Sequence, residues 1–187
     1  HDHAHAHRSL KDIRALIAAS PLSSQVKQDA LRVFHLIGEA EAKIHGTSLE
    51  AVTFHEVGAI DSIVDICGAA VVMELLGYPT VYASAPPLGS GTTRIAHGVV
   101  PVPVPATLEI LKGVPVRFEG LGELTTPTGA GLLKAFAKIE SPPLLTVQRI
   151  GYGVGTKDFA DRANVLRASM GQRAVSQTTL CVLEANL

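Results

Sequence analysis

Four side chains that can transfer protons or bind a metal ion lie close together in the stretch FHEVGAIDSIVDI. They are His55, Glu56, Asp61 and Asp65. If a helix begins at Asp61, the two aspartates lie one turn apart on the same face. That face is otherwise small or apolar, and burying two carboxylates is costly unless they contact a cation or strong donors. The pattern predicts a functional site here. The alternative is that Asp61 caps the helix and Asp65 is a solvated acid of its first turn.

Three glycine-containing stretches could hold an anion: LGSGTTR at 88–94, TTPTGAG at 125–131 and GYGVGTKD at 151–158. Glycine permits backbone conformations in which successive N–H groups point at one oxyanion, and a helix N-terminus adds its dipole. The middle stretch is the strongest candidate, because it directly precedes a predicted helix. Each stretch taken alone is also compatible with a plain turn. The candidate anion-binding residues are Arg94, Thr126, Thr128, Gly129, Gly153 and Lys157.

Histidine alternates with other residues at the start of the chain, in HDHAHAHRSL. Imidazoles at every second position of an extended segment share a face, and a flexible segment can bring several of them onto one ion. Imidazole suits nickel, copper and zinc, so the segment predicts a weak metal site without fixing the metal. A purification tag and an unstructured tail that meets metal only occasionally are the alternatives. The candidate ligands are His1, His3, His5 and His7.

Two helices are predicted before the acidic stretch. Ser9 can cap the first, which ends at Ser20–Pro21, and Ser24 can cap the second, which ends at Gly46. The second helix carries one apolar stripe, which predicts the face that packs against the core. The stripe consists of Val26, Ala30, Val33, Ile37, Ala40 and Ile44.

The helix predicted from Asp61 to Leu76 is apolar nearly all round, so we expect it to be central and buried. After it, TVYASA and VPVRFEG are predicted strands, and a Val-Pro stretch leads into a helix that starts near Pro105. TTPTGAGLLKAFAKI predicts a loop and a helix, and strands are predicted in LLTVQRIGYGVG, NVLRASMG and TLCVLEANL.

The alternation of helices and strands favours an α/β fold, a single domain in which helices flank a mixed β-sheet in layers. We expect residues 1–8 to be a flexible histidine-rich segment and residues 9–178 to form the α/β domain. Residues 179–187 are expected to begin the linker or strand that leads to a further, C-terminal domain. The first residue is His rather than Met, so we expect a processed or truncated piece of a longer polypeptide.

The composition argues against two classes of partner. A net charge of −1 and a pI near 6.8 provide no general attraction to nucleic acid or to an anionic membrane. No apolar run is long enough to span a bilayer. Cys67 and Cys181 are far apart and lie in apolar runs, which favours buried thiols in a reducing, cytoplasmic compartment.

Several motifs in this order carry a specific resemblance. FHEVGAIDSIVDICGAA, GTTRIAHGVVPVPVPATLEIL and TPTGAGLL follow a histidine-rich stretch, and together they closely resemble the nickel-insertion proteins of lactate racemase cofactor maturation, the LarC family. The resemblance implies a nickel chelatase of the lyase class. Its substrate would be pyridinium-3,5-bisthiocarboxylic acid mononucleotide and its product the nickel-pincer nucleotide, formed by cyclometallation with CTP and Mn²⁺ or Mg²⁺.

The resemblance also implies which parts of the family's polypeptide are missing. Family members open with a strand of the type FDCFAGISGDM, which this sequence lacks, and continue into a C-terminal domain to which CTP and metal binding is ascribed. We therefore expect the chain to be part of the N-terminal half, to be incompletely active alone, and to require the C-terminal half as a partner. A homo-oligomer is also compatible with the resemblance.

Roles for the site residues follow as hypotheses from this chemistry. Cyclometallation removes a ring proton, so a base is needed, and His55 or Glu56 is the candidate. Asp61 and Asp65 would hold a hard divalent ion or orient that base. The glycine stretches would bind the phosphate, and the opening histidines would load nickel.

Three other functions remain open from the sequence. One is a nickel storage or delivery module without chemistry of its own. Another is a metal-dependent hydrolase that uses the acidic stretch. The third is a structural half that assembles with a second domain and exposes an apolar patch where that domain is absent.

Overall fold

The computed structural model describes residues 8–54, 60–95, 98–159, 162–173 and 179–185. Helices and strands alternate along these residues. The helices are α1 Leu10–Ala19, α2 Ser24–His45, α3 Ile60–Leu75, α4 Pro105–Ile110 and α5 Pro127–Phe136, with a short 3₁₀ turn at Leu49–Ala51. The strands are β1 Arg8–Ser9, β2 Thr53–Phe54, β3 Thr80–Ala83, β4 Gly89–Ser90, β5 Thr92–Ile95, β6 Gly98–Pro101, β7 Gly122–Glu123, β8 Ala137–Ile139, β9 Leu145–Val154, β10 Val165–Arg173 and β11 Thr179–Ala185.

Side-chain caps fix where α1 and α2 begin. The Ser9 hydroxyl accepts the Asp12 N–H at 3.2 Å, which confirms the predicted cap of α1. The predicted cap of α2 at Ser24 is wrong by one residue. Ser23 has extended backbone angles and its hydroxyl accepts the Val26 N–H at 3.2 Å, so Ser24 is already helical. Gly46 ends α2 as predicted, in the left-handed conformation at φ 62°.

The longest helix, α2, is the element around which the others pack. It contacts α1, α3, α4 and α5. Its predicted stripe is buried except at its end, where Ile44 is 41% exposed because the last turn extends past the core. The core cluster formed around α2 contains large side chains that are fully buried, among them Phe34, Phe54, Ile13, Ile37 and Ile66.

The expectation that the third helix is central and buried is wrong. α3 begins at Ile60, and only Ile63, Ile66 and Ala70 on it are buried, because a single face packs on α2 and α5. The opposite side is exposed although it is apolar. Its exposed apolar residues, with Leu76 just beyond the helix, are Ile60, Val64, Val72, Leu75 and Leu76.

A mixed sheet of five strands in the order β8-β3-β11-β10-β9 completes the fold. β3 pairs in parallel with β8 and β11, whereas β10 pairs antiparallel with β9 and β11. The predicted α/β class with a mixed sheet in one domain is confirmed, as are strands in the three C-terminal segments. β11 lies inside the sheet, so residues 179–185 are part of this structure. Two-stranded sheets join β1 to β2, β4 to β7 and β5 to β6.

Two predicted elements differ from the structure. VPVRFEG, residues 114–120, forms only an isolated bridge from Arg117 to Pro87, since Pro115 and Gly120 interrupt it. The end of the last predicted helix, Ala137–Ile139, is strand β8. The helix that starts at Pro105 is confirmed. In the described part of the chain, no helix combines the length and apolar character needed to cross a membrane.

Candidate functional site

A cavity of about 610 Å³ opens between the start of α3 and the start of α5. It brings together two groups of residues that the sequence analysis singled out separately, the aspartates of α3 and the hydroxyl-bearing stretch TTPTGAG. The expectation that this stretch precedes the helix is wrong, since α5 begins at Pro127 and its first turn contains Thr128 and Gly129. The predicted residues that line it are Asp61, Asp65, Thr126, Thr128 and Gly129, and the others include Ser62, Glu123 and Leu132.

Asp61 and Asp65 face this open cavity. Both are exposed, so the expectation that they lie on a buried face is wrong. Because α3 already includes Ile60, Asp61 is within the first turn and is not the capping residue. Its Oδ1 accepts the Ser62 N–H at 2.8 Å. Asp61 therefore lies at the positive end of the α3 dipole, where negative charge is stabilised, and Asp65 lies one turn further along the helix.

The start of α5 provides fewer free donors than its sequence suggests. Pro127 has no N–H, and the Thr126 hydroxyl accepts the Gly129 N–H at 3.2 Å as the helix cap. The Ala130 N–H donates to the Thr126 carbonyl oxygen at 2.9 Å. Among the described residues, the Thr128 N–H and hydroxyl have no partner. Thr128 is thus the group best placed to donate to an anion in the cavity.

Glu123 reaches the cavity because two glycines allow their backbones to touch. β4 pairs with β7, so Gly89 lies opposite Glu123 and next to Gly122. Gly89 has φ +83°, and a Cβ added to it would lie 1.8 Å from the Gly122 carbonyl oxygen. Gly89 of LGSGTTR therefore makes a close backbone contact that positions Glu123. Its conformation is explained by this contact, whereas the sequence had suggested an anion-binding loop.

Lys157 lies in the loop after β9, outside the cavity lining. A Cβ on Gly122 would lie 2.7 Å from Lys157 Nζ, and one on Gly120 would lie 3.0 Å from an Arg162 guanidinium nitrogen. Both basic side chains therefore contact the Gly120–Gly122 turn that precedes Glu123. Lys157 Nζ also lies 5.1 Å from the centre of the Phe159 ring.

Two other predicted anion ligands lie outside the cavity lining. Gly153 is in the extended strand β9, opposite Leu166, so the first four residues of GYGVGTKD are strand, and only Gly155–Asp158 form a loop. Arg94 is exposed on β5, opposite Val99.

The predicted base and the predicted nickel tail fall outside the described residues. These are His55, Glu56, His1, His3, His5 and His7. Within the residues that the structure describes, no three His, Cys, Asp or Glu side chains form a group that could hold a metal ion. Asp61 and Asp65 would therefore bind a metal only together with further ligands.

Sequence reasoning missed Ser62, Glu123 and Leu132. The sequence signal for Glu123 was the pair of glycines in GLGEL. In the structure both have positive φ, +85° at Gly120 and +75° at Gly122. Two such glycines in three residues predict a sharp turn that re-aims the following side chain. Nothing in the local sequence indicated that this turn meets α3 and α5.

A second cavity, of about 410 Å³, is lined by Asp29, whose carboxylate contacts neighbouring side chains of α2. Asp29 is 7% exposed, accepts Gln25 Nε2 at 3.2 Å and lies 3.5 Å from Arg32. Burial, together with the carboxylates of Asp29 and Glu74, raises the pKa of Tyr78. This network links α2 to the turn after α3 and is explained by that structural role.

Comparison with known proteins decides the family. The sequence model described as "Nickel insertion protein" matches residues 1–187, the whole chain. The chain belongs to the nickel insertion protein family. No solved structure matches it.

Named relatives agree with this membership. A nickel insertion family protein of Myxococcus xanthus strain DK1622 is 64% identical over 98% of this chain and 48% of its own length. Proteins named pyridinium-3,5-bisthiocarboxylic acid mononucleotide nickel insertion protein are 52% identical in Geobacillus kaustophilus strain HTA426 and in Staphylococcus epidermidis strain ATCC 12228. They cover 92% and 88% of this chain, and 42% of each relative is matched. The chain thus spans about half the length of the curated relatives it matches.

In this nickel insertion family member, Gly89→Ala should disturb the cavity from outside its lining. A methyl group 1.8 Å from the Gly122 oxygen cannot be accommodated, and φ +83° is unfavourable for alanine, so β4 and β7 must separate. We expect a lower melting temperature and displacement of Glu123. Gly91→Ala is the matched control, because Gly91 also has positive φ (+95°) but nothing within 4 Å. Thermal unfolding of both variants checks this, and equal melting temperatures would contradict it.

The two thiols are not poised to bind nickel as thiolates at neutral pH. Burial raises the pKa of Cys67 and of Cys181 above the ordinary value of 9.0. The folded chain therefore keeps two protons that the unfolded chain releases near pH 9, so this stabilisation is present below pH 9 and is lost as the pH rises further. We expect slow iodoacetamide labelling at pH 7.5 and a melting temperature that falls from pH 8 to pH 10. The Cys67→Ala/Cys181→Ala variant should show a shallower fall, and an identical pH dependence would refute the assignment.

Proposed function

We propose that this chain is the part of a nickel insertion protein that binds pyridinium-3,5-bisthiocarboxylic acid mononucleotide, and that the cavity between α3 and α5 receives it. The observation that carries the proposal is the meeting of two acidic side chains with the donor-bearing start of α5, in a chain that matches the family model throughout. Relatives that are about half identical to it carry this substrate and nickel insertion in their names.

The phosphate of the nucleotide fits the α5 side of the cavity. Thr128 offers one N–H and one hydroxyl without partners in the described residues, and the dipole of this ten-residue helix favours an anion at that end. Lys157 lies beside Gly122, the residue before the lining residue Glu123, and would supply a positive charge there. The phosphate would then lie away from the aspartates, which would repel it.

The acidic side of the cavity fits the metal chemistry. Insertion forms two bonds from nickel to sulfur and one to a ring carbon, and that carbon loses its proton to a base. Asp61 and Asp65 would hold a hard divalent cation, Mn²⁺ or Mg²⁺, or orient the base. His55 or Glu56 remains the proposed base and His1, His3, His5 and His7 the proposed nickel-loading tail, on the sequence argument alone.

The finer features of the activity are proposals that follow from the family resemblance. The reaction would be a CTP-dependent cyclometallation of the lyase class, with the nickel-pincer nucleotide of lactate racemase as product. We propose that CTP binds mainly in the part of the longer relatives that this chain does not span, which would act as its partner. The two free thiols support a cytoplasmic location.

Calorimetry tests the binding role directly. The mononucleotide and Ni²⁺ are titrated separately into the chain, into the chain without residues 1–7, and into an Asp61→Asn/Asp65→Asn variant. Mononucleotide binding that survives removal of the tail supports the proposal. Nickel binding that depends only on the tail, with no mononucleotide binding, would instead support a storage or delivery module.

Thr128→Val should weaken mononucleotide binding by about 10- to 100-fold, the range for a hydrogen bond to a charged group. The substitution preserves the shape of the side chain and removes its hydroxyl. Thr92→Val on β5, an exposed threonine outside the cavity lining, is the control and should bind normally. Equal affinities in the two variants would exclude Thr128 from the phosphate site.

A further inference from the structure

The β9 half of one face of the β9–β10 hairpin is apolar and uncovered, whereas β10 contributes Arg167 to that face, where it is ion-paired with Glu184 of β11. Residues that pair across an antiparallel ladder project to the same side of the sheet. Ile150 pairs with Ser169, Tyr152 with Arg167 and Val154 with Val165. The exposed apolar residues that β9 places on this side are Val147, Ile150, Tyr152 and Val154, which are 49%, 57%, 61% and 77% exposed. We call this surface, with Val165, the hairpin face.

A β-bulge adds Val147 to the hairpin face. The register shifts between Met170 and Gly171, so that Met170 pairs with Arg149 and Gly171 pairs with Val147. Gln148 is the extra residue. In a regular strand without the bulge, Val147 and Arg149 would project to the same side, because side chains alternate. The bulge therefore collects the apolar side chains of β9 on one side and leaves Arg149 on the other.

The same side of the sheet is covered one strand away. Leu180 and Val182 on β11 pair with Gly171 and Ser169, so they project to the side of the hairpin face. They are 2% and 6% exposed. The apolar side chains of β11 on this side are thus covered, whereas those of β9 are not, and β10 lies between them with Ser169 and Gly171. Exposed apolar surface of this kind marks a contact site, because a strand face this apolar normally packs on a core.

We propose that the hairpin face packs against an apolar surface of the polypeptide that the longer relatives carry in addition to the region matched here. These relatives are about twice as long as the matched region, so a tethered partner of similar size exists in the family. Ten residues of β9 beside β10 present a face of only about 300 Å².

The size of the face favours a tethered partner over a second copy of the chain. A stable interface between separate proteins needs about 800 Å² on each side. A covalently linked partner needs less, because linkage raises its effective concentration to about the millimolar range. The assignment concerns a surface away from the cavity lining and does not depend on the proposed substrate.

Hydrogen–deuterium exchange tests the assignment. The Myxococcus xanthus relative is prepared at full length and shortened to the 186 residues that match this chain. We expect exchange in the segment aligned with β9 to be at least 10-fold slower at full length. Serine at the positions aligned with Ile150 and Tyr152 should abolish the difference, and serine at the position aligned with Arg149, on the opposite side, should preserve it.

In the 187-residue chain, Ile150→Ser should leave the melting temperature nearly unchanged, because the side chain is 57% exposed. Tyr152 is kept in this variant because its side chain contacts Arg167. Equal exchange in the long and short proteins overturns the proposal. Protection that rises with protein concentration also overturns it, because the occupant is then a second copy. A lower melting temperature of Ile150→Ser in the 187-residue chain also overturns the proposal, since the hairpin face would then be covered within the chain itself.

Discussion

Replacing both aspartates of the cavity, Asp61→Asn/Asp65→Asn, should lower nickel insertion by at least about 100-fold, the scale of losing a general base or its metal-bound support. Asparagine keeps the size and the hydrogen-bonding oxygen of each side chain but removes both negative charges. The cavity would then lose the proposed attraction for Mn²⁺ or Mg²⁺ and the proposed effect of the carboxylates on the base. The fold should persist, because both side chains are exposed and exposed substitutions usually change the free energy of unfolding by less than about 0.5 kcal/mol.

Two measurements check this result. Mass spectrometry of the nucleotide follows insertion in the full-length Myxococcus relative with the aligned substitutions, and Mn²⁺ titration follows metal affinity in the chain itself. Glu140→Gln is the matched control, since Glu140 is an exposed acid outside the cavity lining. An unchanged insertion rate in the double variant would remove the aspartates from the chemistry. Lost insertion with unchanged Mn²⁺ affinity would leave them the role of orienting the base.

Phe34→Ala should lower the free energy of unfolding by about 3–5 kcal/mol, the usual cost of removing a fully buried aromatic ring. Phe34 is 0% exposed on α2, and its ring centre lies 6.3 Å from that of Phe54. The loss is a large fraction of the total stability of a domain, which is about 5–15 kcal/mol. Phe54 immediately precedes His55, so loosening this pair also frees the backbone that leads to the proposed base.

Urea unfolding monitored by circular dichroism measures the loss, with Leu16→Ala as the control. Leu16 is an apolar residue of α1 that is 46% exposed, so its truncation should cost much less than that of Phe34. Equal losses in the two variants would mean that the core is not organised around α2. A reduced insertion rate in Phe34→Ala under conditions where it remains folded would show that the Phe34–Phe54 contact also supports the site.

The membership of the family and the ends of several helices were determined by the sequence alone. Ser9 and Gly46 act within a few residues of their own position, so a capping hydroxyl or a left-handed glycine can be recognised locally. Ser23 replaced Ser24 as the cap because two adjacent serines offer equivalent hydroxyls, and backbone geometry chooses between them. The mixed α/β class followed from the alternation of patterns along the chain.

Only the tertiary structure decided which predicted groups meet. Asp61 and Thr128 are far apart in sequence and line one cavity because α3 and α5 both pack on α2. Gly89 carried the signature of an anion loop, but its conformation is used for contact with Gly122. The apolar character of α3 predicted burial on all sides, whereas a single face is covered. Burial depends on which elements pack against a surface, and that is a property of distant parts of the chain that no local pattern contains.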